Sequence, residues 1–129
     1  MSKKVLIVDD EPNIVTSLEY LMKKSGYEVS IARNGDEALA LIGSFLPDVV
    51  LLDVMMPRKS GYEVCQQIRE RPDWRHIKVV MLSAKGREAE VNTGLSLGAD
   101  TYVTKPFSNQ ELIAKIDGLL GDGAKPGGA

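Results

Sequence analysis

A doubly wound α/β fold, with five parallel strands alternating with five helices, is predicted by three features of this sequence. Five short apolar runs recur along the chain. All but the second, where Ser30 stands between Val29 and Ile31, are continuous rather than alternating, as strands covered on both faces require. Stretches with apolar residues at helical spacing separate them. Two of the runs end in carboxylates, Asp9-Asp10 after Val5–Val8 and Asp53 after Val49–Leu52. Adjacent parallel strands would bring these acids together at one end of a sheet.

The strand runs are Val5–Val8, Val29–Ile31, Val49–Leu52, Val79–Leu82 and Tyr102–Val103. The first helix carries Ile14, Val15, Leu18, Leu21 and Met22, with Pro12 suited to its first turn and Gly26 to its end. Asn34-Gly35 is a strong hairpin signal, but Asp36–Ser44 after it does not alternate. Asn34 is therefore read as a helix start, with Ala38, Leu39, Leu41 and Ile42 turned inward. Tyr62–Arg69 carries Val64, Cys65 and Ile68, and Glu88–Leu97 carries Val91, Leu95 and Leu97. Asn109–Leu120 carries Leu112, Ile113, Ile116, Leu119 and Leu120, opened by Ser108 with Glu111 three residues on, the pattern of a capping box. The order βαβαβαβαβα with right-handed crossovers leaves few topologies. The flavodoxin-like order 2-1-3-4-5 leads. It places a switch point between strands 1 and 3, where Asp9, Asp10 and Asp53 would meet.

Residues 1–120 form one domain on this reading, and 121–129, rich in glycine, form a flexible end or the start of a linker. The chain of 129 residues is 43% hydrophobic and 26% charged, enough for one domain with a core. A net charge of -2 implies no general affinity for nucleic acid. No run reaches transmembrane length and no signal-peptide core follows Met1, so a cytoplasmic location without membrane association is expected. The single cysteine, Cys65, cannot form an internal disulfide and reads as a semi-buried small hydrophobe. Trp74 reads as packing partly on the surface of a loop. His76 lacks companions for a metal or general-base role.

Clustered acids are costly. At about 4 Å and an effective dielectric of about 20, each ionised pair repels by roughly 4 kcal/mol. A divalent cation resolves this, and Mg²⁺ binds through one or two carboxylates plus water and phosphate. Asp10 and Asp53 would supply those carboxylates. Asp53 can also act as a nucleophile forming an acyl phosphate. Lys105, at the end of strand 5, supplies a point cation for phosphoryl oxygens, and Ser83, at the end of strand 4, a hydroxyl donor. Each residue alone has an ordinary structural reading: helix N-terminal acids, a cap, a solvated lysine. Four at the ends of four strands of one sheet point to phosphoryl chemistry.

These stretches resemble the receiver domain of two-component response regulators over about residues 3–120. The matching segments are Val-Leu-Ile-Val-Asp-Asp-Glu-Pro (5–12), Leu-Leu-Asp-Val-Met-Met-Pro (51–57), Met-Leu-Ser-Ala-Lys (81–85), Gly-Ala-Asp (98–100) and Tyr-Val-Thr-Lys-Pro-Phe (102–107). The resemblance implies that Asp53 accepts phosphate from a sensor histidine kinase or a histidine phosphotransfer protein, with Mg²⁺ or Mn²⁺ as cofactor. It implies metal ligation by Asp10, Asp53 and the Met55 carbonyl, with Asp9 acting through water. Ser83 and Tyr102 would form the conformational switch, Lys105 would contact the phosphate, and the Lys105-Pro106 bond would be cis. Such a domain catalyses only its own phosphorylation and dephosphorylation, and controls an effector protein or domain through its helix 4, strand 5 and helix 5 face.

Ser83 stands where Thr is commoner in that family, and Ser60 replaces a commonly acidic residue. Val91 and Thr101 stand where a basic and an acidic residue would help pair protomers, while Glu111 and Lys115 keep their part. A monomer, or a weak phosphorylation-dependent dimer, is expected. Met55, two residues past Asp53, would slow hydrolysis of an acyl phosphate by crowding water. Two other functions fit less well. Aspartate-nucleophile phosphatases share an Asp-x-Asp after their first strand, whereas here the acids are adjacent. An FMN carrier needs a phosphate-binding loop where Asp10-Glu11-Pro12 would repel phosphate.

Overall fold

The computed structural model describes residues 3–54, 60–84 and 88–120. The elements run β1 (Lys4–Val8), α1 (Pro12–Lys24), β2 (Glu28–Ala32), α2 (Gly35–Phe45), β3 (Val49–Asp53), α3 (Gly61–Glu70), β4 (Lys78–Ala84), α4 (Glu88–Ser96), β5 (Thr101–Lys105) and α5 (Asn109–Leu120), with a 3-10 turn at Pro72–Trp74. The strands form one parallel sheet in the order β2-β1-β3-β4-β5. The flavodoxin-like order expected from the sequence is the one found. The tail 121–129 lies outside the described residues.

Each face of the sheet has its own core. Leu6, Val8, Val50, Leu52, Val79 and Met81 pack under α2 and α3 through Ala38, Ile42, Val64, Cys65 and Ile68. Val5, Ile7, Val49, Leu51, Val80, Leu82 and Val103 pack against Leu18, Met22, Leu112 and Ile116 of α1 and α5. All five residues of β3 are buried, which explains the unbroken apolar run ahead of Asp53.

Local chemistry sets the helix boundaries. Pro12 opens α1, and Gly26, at φ 95°, follows its last turn. Asn34 caps α2 by accepting the Glu37 N–H at 2.9 Å, so the helix reading prevails over the hairpin signal. At α5, Ser108 Oγ accepts the Glu111 N–H at 3.0 Å. A full capping box at α3 uses Ser60 and Glu63. The sequence Ser-Gly-Tyr-Glu carries that signal, so Ser60, a departure from the family pattern, has a structural role as a cap.

Three side chains differ from expectation. Trp74 is buried in the core under Arg71, whose guanidinium lies 4.2 Å from the ring, rather than spread on a loop surface. Leu95 points outward at 38% exposure, because buried Gly94 takes the inward position of α4 over Met81. Cys65 is fully rather than partly buried, with its thiol 3.8 Å from the Leu97 carbonyl oxygen.

Burial pushes the Cys65 thiol from about 9 up to about 11; nearby Arg69 pulls it down and Asp100 pushes it further up. In the unfolded chain the thiol ionises first. The thiol's contribution to stability is therefore level below about pH 9 and falls as pH rises towards about 11, since the unfolded state sheds its proton earlier. Urea midpoints measured from about pH 8 to about pH 11 should fall more steeply for the wild type than for Cys65→Ala. Burial and Asp117 also raise the Tyr27 phenol, which adds alkaline slope to both proteins. Parallel pH profiles would show the thiol to be unperturbed.

Candidate functional site

β1 and β3 are neighbours, and β2 lies beyond β1, so the chain's crossovers diverge between β1 and β3. Val8 is in register with Leu52, one residue before each acidic segment. Asp9, Asp10 and Asp53 consequently meet, with one carboxylate oxygen of each within 4.8 Å of the others. Asp9 is fully buried, Asp53 is 7% exposed, and Asp10 faces solvent. Unpaired, such buried acids would be strongly unfavourable.

Two compensations are visible. The Asp9 carboxylate accepts the Glu11 N–H at 3.0 Å, just before α1 begins at Pro12. The positive end of that helix thus lies beside the acids. The Lys105 ammonium reaches in from the last residue of β5, 2.9 Å from Asp9 and 3.5 Å from Asp53. Burial alone would lower the pKa of Lys105, but the bond to Asp9 and the charges of Asp53 and Asp9 outweigh it and hold it above the ordinary lysine value. The Lys105-Pro106 bond is cis, as expected.

Ser83 lies on β4 just beyond Leu82, the register partner of Asp53. It is buried, and its hydroxyl donates to the Ala84 carbonyl at 3.3 Å. Tyr102 is not in the cluster. It stands on edge strand β5 opposite Met81, and the residue is 37% exposed. The structure thus brings together Asp9, Asp10, Asp53 and Lys105, sets Ser83 on the adjoining strand end, and leaves Tyr102 on the outer edge. The Met55 carbonyl lies outside the described residues. His76 is exposed.

The donor set fits a hard divalent cation. Three carboxylates supply only oxygen, and one of them opens to solvent. No nitrogen or sulfur donor joins this group among the described residues. Zinc-type ligation is therefore not favoured.

Sequence reasoning missed Gly61. It opens α3 at its closest approach to β3, where its N–H donates to the Val54 carbonyl at 3.1 Å. A Cβ on Gly61 would lie 2.3 Å from the Asp53 carbonyl oxygen. Glycine here lets α3 seat directly against the backbone that carries Asp53. The dipeptide Ser60-Gly61 was the available signal, but close approach between elements distant in sequence cannot be read from it.

Known proteins match this architecture. A family model described as the response regulator receiver domain covers residues 5–117. The chain is 36% identical to a protein described as a response regulator from Chloroflexus aurantiacus J-10-fl, with a TM-score of 0.90 over 93% of this chain and 98% of that one. It is 33% identical to a signal receiver domain of a signal transduction histidine kinase from Syntrophus aciditrophicus, at a TM-score of 0.86 over 92% and 90% of the two chains. It is 30% identical to the chemotaxis response regulator CheY4 of Vibrio cholerae, at 0.87 over 93% and 100%. The acids at the β1–β3 switch point, the lysine from β5 and these matches agree, and the chain belongs to the response regulator receiver domain family.

Proposed function

We propose that this receiver domain takes a phosphoryl group onto Asp53 from a phosphohistidine donor, a sensor histidine kinase or a histidine phosphotransfer protein, and passes the change to an effector. The observation that carries this reading is the Asp53 carboxylate at the C-terminal end of β3, beside Asp9 and Asp10 and 3.5 Å from the Lys105 ammonium. One Asp53 oxygen attacks phosphorus; the P–N bond to the donor imidazole breaks, and an acyl phosphate forms on Asp53. The imidazole nitrogen keeps the electron pair of that bond and takes up a proton.

Asp10 and Asp53 would hold Mg²⁺ or Mn²⁺, with the Met55 carbonyl and Asp9 completing its surroundings. When bound, the cation neutralises charge on the acids and the phosphoryl oxygens. Lys105 offers the phosphoryl oxygens a fixed positive charge. Ser83 offers a hydroxyl from the next strand end. Its turn towards the phosphoryl group, with Tyr102 following inward, would alter the α4, β5 and α5 face that an effector reads. The chain turns over no other substrate on this reading. It acts in the cytoplasm as a monomer or weak phosphorylation-dependent dimer, without direct nucleic-acid binding. Among the described residues no helix is long and apolar enough to cross a membrane.

Intact mass after acetyl phosphate treatment tests this reading. A single Mg²⁺-dependent phosphoryl adduct is expected on the wild type and none on Asp53→Asn. An adduct that persists in Asp53→Asn would place the acceptor elsewhere.

A further inference from the structure

Tyr102 stands on edge strand β5, whose only strand neighbour among the described residues is β4. A half-exposed aromatic ring on a sheet edge would ordinarily sample several rotamers. Here one side chain of α5 holds three contacts around it. The Lys115 ammonium donates to the Tyr102 carbonyl at 2.6 Å. It lies 4.8 Å from the centroid of the Tyr102 ring. It also stands 3.8 Å from the Glu111 carboxylate, one helical turn back.

These contacts do different jobs. The bond to the backbone oxygen does not depend on the side-chain rotamer of Tyr102, so it fixes the ammonium in place. The ring contact exists only while the ring lies outward under that ammonium. An interaction made in one conformer and not in the other shifts the balance between them. The other conformer is available in principle. Tyr102 shares its sheet face with Thr104, the register partner of Ser83, so rotation about χ1 towards the strand ends would carry the ring towards Ser83 and away from Lys115. Glu111 opposes the clamp by drawing the same ammonium towards itself.

We propose that Lys115 is a positioning residue that clamps Tyr102 in its exposed conformer and so sets the threshold at which the receiver switches. The clamp rests on the proposed receiver function only for its consequence; its geometry is a property of the unphosphorylated protein.

Three-bond couplings reporting χ1 of Tyr102 in the unphosphorylated full chain test it directly, with the resonance assigned by Tyr102→Phe. Removing the charge in Lys115→Gln should raise the ratio of inward to exposed conformers roughly two- to fivefold. Lys115→Arg, which retains a cation able to lie over the ring, should restore the wild-type ratio. Glu111→Gln frees the ammonium from its competitor and should move the ratio the opposite way. It also keeps the test open if Lys115→Gln disturbs folding. Unchanged ratios in Lys115→Gln and Glu111→Gln would overturn the clamp. Titration with beryllofluoride and Mg²⁺ separates the two readings. A wild type that shows no response anywhere would defeat the receiver function while leaving the coupling result to judge the clamp. A responding wild type whose midpoint is the same in Lys115→Gln would overturn the threshold role.

Discussion

Gly61→Ala is expected to slow phosphoryl acceptance at Asp53 about ten- to a hundredfold and to lower stability by about 1–3 kcal/mol. The added Cβ would lie 2.3 Å from the Asp53 carbonyl oxygen and 3.0 Å from the Val54 Cα. Both are backbone atoms, so no flexible side chain can swing aside. Either α3 lifts from the sheet or the end of β3 moves. In the first case the Gly61 to Val54 hydrogen bond of 3.1 Å is lost. In the second, the Asp53 carboxylate shifts from its place between Asp9, Asp10 and Lys105. A displacement near 1 Å can cost about a hundredfold in rate when positioning is most of the catalysis. The rate of adduct formation from acetyl phosphate, followed by mass, measures the first effect, and urea unfolding measures the second. A wild-type rate in Gly61→Ala would show that Asp53 tolerates movement of its backbone.

Arg69→Met should destabilise the domain by about 3–4 kcal/mol and lower the melting temperature by roughly 10–15 °C. The Arg69 guanidinium donates to the carbonyls of Gly98 at 2.8 Å, Ile77 at 2.7 Å and Arg75 at 3.2 Å, and to the Asp100 carboxylate at 2.7 Å. Asp100 in turn accepts the Val79 N–H at 2.8 Å. One side chain of α3 thus ties the turn before β4 to the turn between α4 and β5. Gly98 takes φ 112°, and a Cβ there would meet the Arg69 stem at 2.5 Å. Methionine preserves the stem but takes the guanidinium donor from the three carbonyls and leaves the carboxylate with the Val79 N–H and no neighbouring positive charge from Arg69. Lysine would not rescue, since an ammonium cannot match the planar fork. Asp100→Asn in the Arg69→Met background should recover part of the loss by removing the stranded charge. Calorimetry of the three variants decides this, and a loss below about 1 kcal/mol for Arg69→Met would reduce the network to an exposed ion pair.

Both predictions concern residues whose role lies between elements. Lys115 belongs with them. The sequence places it in a charge set that helps pair protomers, and the structure adds contacts with Tyr102 and Glu111 of its own chain. Gly94 is a fourth case. A helical apolar pattern assigns Leu95 inward, yet Gly94 is the residue that faces Met81, where a Cβ would lie 3.1 Å from the methionine side chain, and the helix turns Leu95 to solvent.

What the sequence determined by itself was the alternation of elements, the sheet order and the cluster of acids. Those follow from local rules. Continuous apolar runs mark doubly covered strands, caps and prolines mark helix starts, and right-handed crossovers leave few strand orders, the leading one of which, 2-1-3-4-5, brings Asp9, Asp10 and Asp53 together. The tertiary structure alone decided that Lys105 pairs more closely with Asp9 than with Asp53, that Ser83 bonds the Ala84 carbonyl, that Tyr102 lies outward under Lys115, and that Gly61 and Arg69 brace the strand ends. Each depends on distances between residues far apart in the chain. Strand and helix periodicity assigns a side chain to a face, but not its rotamer, its partner or the separation of the backbones beneath it.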